Sequence, residues 1–219
     1  MRLWGAMAAG ILVLSSGVVQ AMDEPLPRPC RTAAHSAEPH LRLVWVDVAG
    51  QGAEAVFEDA ARELDDIFSD AHITIDWRRG QPGERIVESD VHVIVLESGT
   101  GLPRQVMGAA RHADRPPHSL RVFLRHIRET LGLDPRPDAF ILPCDRAALG
   151  RAVGRVIAHE IIHVYAPEHG HETEGLMRPS LDAEFLRQER VHLATAAVKA
   201  VVDGIGGSFG DTVVLAPEQ

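Results

Sequence analysis

The sequence lacks the excess of positive charge that marks nucleic-acid-binding proteins. It has 22 Lys and Arg against 31 Asp and Glu, a formal net charge of -9, whereas phosphate backbones attract Lys and Arg. We therefore expect no nucleic-acid partner. It also lacks internal repeats and, apart from residues 204–210, low-complexity tracts. With 45% hydrophobic and 24% charged residues, the composition is typical of one folded domain with an ordinary core.

A long uninterrupted apolar run is also missing. The stretch Ala6–Val19 contains two glycines and two serines and is shorter than the roughly 20 residues of a membrane span. It follows Arg2 and ends in small residues up to Ala21, a pattern typical of a cleaved signal peptide over residues 1–21. No cysteine follows as a lipid acceptor. These features predict a secreted or periplasmic protein without a membrane anchor after cleavage.

Cysteine is scarce, with only Cys30 and Cys144 in the chain. Export would place both in a compartment where disulfides persist, so the sequence predicts that they pair. The alternative is two separate thiols.

The pattern of apolar residues predicts the order of the elements. Residues 22–39 are rich in Pro and Ala and predict an extended segment, followed by one domain over 40–203 and a flexible, Gly-containing tail over 204–219. Within the domain, strands are expected near 41–48, 72–77, 91–96, 105–111 and 120–124, and helices near 54–70, 125–133, 146–165 and, with a break, 181–202. Asp145 is the expected N-cap of the long helix and Pro167 its terminator. This succession indicates an α+β fold.

The long helix carries the sequence His159-Glu160-Ile161-Ile162-His163. Residues four apart lie on the same helix face, so His159 and His163 can reach one zinc ion. Glu160 lies beside that position, where a carboxylate can accept a proton from the attacking water. The motif predicts a metal site with Glu160 as general base.

Two further histidines, His169 and His171, and a Gly-Leu-Met sequence ending at Met177 follow the helix. Together with the helix motif, this stretch resembles the metzincin clan of zinc proteases. The resemblance covers about residues 150–178 and implies a third histidine ligand and a methionine turn at Met177. It also implies a zincin-like α+β fold: a twisted, mostly parallel sheet with an antiparallel edge strand, a backing helix, the active-site helix and a C-terminal helix.

The position of the third ligand is open, because the chain departs from the clan pattern. Ala166 and Pro167 stand where the clan has a glycine, and proline biases its predecessor out of helical geometry. His169 matches the clan spacing. The stretch also resembles small exported bacterial proteins of uncharacterised role, in which the last histidine stands two residues later, at His171. We favour His171 and keep His169 as the alternative.

The expected function is zinc-dependent hydrolysis of peptide bonds within a protein or peptide substrate. One alternative is an exported protein that binds zinc without catalysis. The other is a zinc-dependent amidohydrolase of a non-peptide substrate.

Overall fold

The computed structural model describes residues 38–85, 87, 89–111 and 118–210. Five strands are present in this part of the chain: β1 His40–Asp47, β2 Thr74–Gly80, β3 Val91–Leu96, β4 Gly108–Arg111 and β5 His118–Phe123. The helices are α1 Gln51–Glu54, α2 Phe57–Ser69, α3 Leu124–Thr130, α4 Pro143–Tyr165, α5 Ala183–Arg187 and α6 Thr195–Gly210. None of these helices is long and apolar enough to cross a membrane.

The strands form one sheet in the order β2-β1-β3-β5-β4. The first four are parallel to one another, and β4 pairs antiparallel with β5 at the edge. Parallel sheets are usually covered on both faces, so the sequences of their strands are near-continuous apolar runs. The predicted α+β architecture, with its mostly parallel sheet and antiparallel edge strand, is confirmed.

Helix α4 is buried along most of its length. It packs against helix α2 and against strands β4 and β5 of the sheet. Gly150 and Gly154, one turn apart, permit this close packing. A Cβ on Gly154 would lie 2.6 Å from the carbonyl oxygen of Ala60 in α2, which is closer than packed atoms allow. Helix α2 therefore supports the motif helix from behind.

The start of the long helix differs from the sequence prediction. Helix α4 begins at Pro143 with Leu142 as its N-cap, and no side chain caps it. The expected N-cap, Asp145, instead lies in the first turn, where its charge favours the helix dipole. The expected break in the C-terminal helical region is present between α5 and α6.

The C-terminal helix extends further than expected. Helix α6 continues to Gly210, so residues 204–210 are helical where the sequence predicts a flexible tail. The reason is tertiary packing, because Val201 and Ile205 are buried in the core and Gly204 lies directly against the backbone of Tyr165. Burial of an apolar face outweighs the low helix propensity of glycine here.

The other predictions for the chain termini concern residues outside the described part of the chain. These are the signal peptide over 1–21, most of the extended segment over 22–39, Cys30 and the tail beyond 210. Cys144 is exposed, and its pairing with Cys30 stays a prediction.

Candidate metal centre

Two histidines of the motif face the same point from helix α4. The Nε2 atoms of His159 and His163 lie 3.1 Å apart. The Nδ1 of His159 lies 2.8 Å from the carbonyl oxygen of Leu176. A carbonyl can only accept, so Nδ1 carries the proton and the Nε2 lone pair faces the site. Burial also lowers the pKa of His159, which favours the neutral form that binds metals.

The loop after α4 brings a third imidazole to this pair. His171 Nε2 lies 3.2 Å from His163 Nε2, and the ligand atoms of the three histidines all lie within 4.8 Å of one another. Two imidazoles bound to one zinc at about 2.0–2.1 Å with tetrahedral angles have nitrogens about 3.3–3.4 Å apart. The spacing of the three side chains therefore fits one metal ion. Within the described ranges, this is the one such cluster.

His169, the alternative third ligand, faces elsewhere. Its Nε2 lies 3.1 Å from Glu172 Oε1, and it is absent from the cluster of three. The chain leaves the helix at Ala166, whose φ is -133°, and the next turn is closed by His169 N–H donating to the Ala166 carbonyl. This early exit places His171, rather than His169, beside the helix pair.

Met177 lies in the core, with 1% of its surface exposed. Its backbone carbonyl accepts a hydrogen bond of 2.8 Å from the Glu172 N–H, which closes a turn containing Gly175 at φ +72°. Residues 172–177 thus form a turn, and a methionine-turn role for Met177 stays a prediction. The direct contact of this turn with the histidines is made by the Leu176 carbonyl next to Met177.

Glu160 is buried beside the histidines, with 7% of its surface exposed. Burial raises the pKa of its carboxyl group from 4.5 to about 7, although the backbone N–H of Ala110 opposes the shift. A carboxyl group in this range can both accept and return a proton near neutral pH.

The side chains of His159, Glu160, His163 and His171 line a cleft of about 280 Å³. One wall is residues 105–108, which lead into the edge strand β4, and the other is residues 178–181, which lead into α5. His126 supports the first wall, since its Nδ1 lies 2.7 Å from the Val106 carbonyl. The cleft thus runs between an open sheet edge and the loop that carries His171.

Arg155, one turn before His159 in α4, holds the second wall in place. It is fully buried and donates to Glu63 Oε1 at 2.6 Å, to the Phe185 carbonyl at 2.8 Å and to the Gln188 carbonyl at 2.7 Å. These bonds tie α5 to the motif helix. Arg155 is not among the residues predicted from the sequence, although an arginine within an apolar helix stripe can indicate a buried ion pair.

No protein-family model matches the chain, and a comparison with curated protein sequences also finds no match. Among solved structures, the chain is similar to archaemetzincin from Methanopyrus kandleri, at 15% identity and a TM-score of 0.49, over 76% of this chain and 96% of that one. It is also similar to metalloproteinase-II from Bacteroides fragilis, at 9% identity and a TM-score of 0.44. That second likeness covers 77% of this chain and 54% of the other. At identities this low, the likeness concerns the path of the backbone alone. The chemistry of the site therefore follows from the side chains of this chain.

Proposed function

We propose that the protein is a zinc-dependent metallopeptidase that cleaves within peptide chains, with His159, His163 and His171 as metal ligands and Glu160 as general base. One observation supports this most strongly. Three imidazole nitrogens converge within 4.8 Å next to a buried carboxylate, in a cleft beside an open strand edge. A purely structural zinc site has four protein ligands and no need of a neighbouring base.

The donor set favours zinc, because imidazole suits this ion and three protein ligands leave one position open. When bound, zinc supplies a Lewis acid that polarises a carbonyl group and makes water more acidic. The Leu176 carbonyl fixes the ring of His159, so its orientation does not depend on the ion.

Glu160 takes the proton of the attacking water in this proposal and passes it to the leaving amine. Its burial supports the role, since a pKa of about 7 lies close to the operating pH at which a general base is most efficient. The neighbouring loop carboxylates Glu168 and Glu174 are exposed to solvent, whereas Glu160 is buried.

In the part of the chain that the structure describes, β4 is the edge strand of the sheet, and this supports a peptide as substrate. An extended peptide can add to an edge strand through main-chain hydrogen bonds, and β4 lies along the cleft with residues 105–107 before it. Chain on both sides of the cleaved bond would then be bound, as cleavage within a chain requires. A secreted or periplasmic location belongs to the proposal and rests on residues 1–21 alone.

The decisive experiment measures zinc content and peptide hydrolysis on the same preparation of the wild-type chain and of Glu160→Gln. Wild type should hold about one zinc and cleave a diverse peptide library. The variant should keep its zinc and lose at least about 100-fold in rate, because the glutamine cannot accept the proton. Glu174→Gln, the same change on an exposed loop residue, is the matched control and should retain full activity.

Each other outcome has a definite meaning. Wild-type activity in Glu160→Gln would remove Glu160 from the mechanism. Zinc binding by both forms without cleavage of any peptide would favour the non-catalytic alternative. Hydrolysis of small amides alone would favour the amidohydrolase.

A further inference from the structure

The free edge of the sheet is directed at the cleft by the hydrogen-bond pattern between β4 and β5. The Phe123 N–H donates to the Met107 carbonyl at 2.9 Å, which makes this a hydrogen-bonded pair in the antiparallel register. Pairs alternate along such a ladder. The next residue of the edge strand, Gly108, and then Ala110 therefore direct their N–H and C=O groups away from β5.

Gly108 lies against Glu160 more closely than any other residue type would allow. A Cβ at this position would be 2.6 Å from Glu160 Oε1 and 2.7 Å from its Cγ, and 2.8 Å from Val156 Cγ1. Real Cβ atoms essentially never approach other atoms within 3.0 Å. The side chain of Glu160 thus occupies the space that a side chain at 108 would fill.

The outward amide of the edge strand holds the carboxylate at this place. The Ala110 N–H, two residues beyond Gly108, faces the carboxylate of Glu160 as a hydrogen-bond donor. Strand β4 therefore meets Glu160 at two residues. The backbone of Gly108 lies against the glutamate side chain, and the amide of Ala110 faces its carboxylate.

From these contacts we propose that Gly108 is a positioning residue for Glu160. Its missing side chain lets strand β4 lie directly against the carboxylate, and this fixes the distance between the base and a peptide paired on the same strand. The catalytic consequence rests on the proposed function, whereas the contact itself does not.

A Gly108→Ala change should act on kcat rather than on KM. Alanine retains the backbone N–H and C=O groups that a peptide would pair with, so KM should stay within about threefold. The carboxylate must move, and a displacement of about 1 Å at a reacting group can lower the rate by up to about 100-fold. We expect kcat to fall by about 10–100-fold with the zinc content unchanged.

A double-mutant cycle on the zinc-loaded full chain tests the contact without using activity. Gly108→Ala should lower the melting temperature by about 3–10 °C through overpacking. In a Glu160→Ala background the same change should cost measurably less, because the clashes with Oε1 and Cγ of Glu160 are removed and only the clash with Val156 Cγ1 remains. Gly206→Ala is the matched control, because nothing lies within 4 Å of a Cβ there, and it should have the same effect in both backgrounds.

Equal costs of Gly108→Ala in the two backgrounds would overturn the proposal. If Gly108→Ala fails to fold alone but folds with Glu160→Ala, the contact is established, and if neither folds the proposal is wrong. A higher KM with unchanged kcat would also contradict the proposal. Should the wild type cleave no peptide, the proposed function fails, while the cycle still decides whether Gly108 positions Glu160.

Discussion

Replacing His171 by Ala tests the proposed ligand set directly, because the same loop provides His169 as a matched control. A structural zinc site with four ligands is worth about 10–16 kcal/mol, or about 2.5–4 kcal/mol per ligand. Loss of His171, whose Nε2 is 3.2 Å from that of His163, should therefore weaken zinc binding by about 100–1000-fold.

The His169→Ala control should have a much smaller effect. His169 is paired with Glu172 at 3.1 Å, and the two side chains are 17% and 30% exposed. Such a pair contributes about 0.5–1 kcal/mol, so zinc affinity should change by less than about fivefold.

Competition with a chromophoric chelator at fixed pH measures both affinities on one scale, and circular dichroism checks that the variants are folded. A loss of zinc affinity in His169→Ala that equals or exceeds the loss in His171→Ala would refute the assignment of His171 as the third ligand. That ranking would restore the metzincin spacing and would require the loop to rearrange when metal binds.

Three further predictions concern stability and covalent structure. Arg155→Met should destabilise the protein by about 3–5 kcal/mol in urea unfolding, because Glu63 is left buried without its cation. Glu63→Gln with Arg155→Met should recover part of this loss, and a simple sum of the two single effects would contradict the prediction. Burial raises the folded pKa of Glu160 to about 7, so its stabilising contribution is complete below about pH 4.5 and is lost as the pH rises through 7. Metal-free wild type should therefore lose up to about 3 kcal/mol between pH 5 and 8 relative to Glu160→Gln, and parallel pH profiles would exclude this. Mass spectrometry of the unreduced protein should find no alkylatable thiol if Cys30 and Cys144 pair, and two free thiols would show that they do not.

Much of the fold follows from local patterns in the sequence. The apolar run at Val91–Leu96 predicts a buried strand, and it lies between β1 and β5 in the sheet. The errors occur where tertiary contacts decide. Glycines at 204–210 predict a tail, yet buried Val201 and Ile205 keep that segment helical. Strand β4 is also shorter than the predicted 105–111, because a turn closed by the Val106 N–H donating to the Pro103 carbonyl occupies the residues before it.

In the candidate site, the side-chain positions can be predicted from the sequence, whereas the backbone contacts cannot. The i, i+4 spacing of His159 and His163 and the early exit at Pro167 can be read from residue types. The Leu176 carbonyl and the Ala110 N–H have no signature in the sequence, since every residue carries such groups. Gly108 has no signature either, because only the position of Glu160 in space makes its missing side chain matter.

The loop after α4 connects these two kinds of contact. His171 is eight residues from His163, but their Nε2 atoms are 3.2 Å apart, which requires the chain to reverse direction soon after the helix. Pro167 begins that reversal, and the Glu172–Met177 hydrogen bond completes it by returning the backbone to the helix. The Leu176 carbonyl then reaches His159. One short segment thus supplies both the proposed third metal ligand and the carbonyl group that orients His159. Insertion of a single residue between 172 and 176 would lengthen the turn that the Glu172–Met177 hydrogen bond closes, and would thereby disturb the contact between the Leu176 carbonyl and His159.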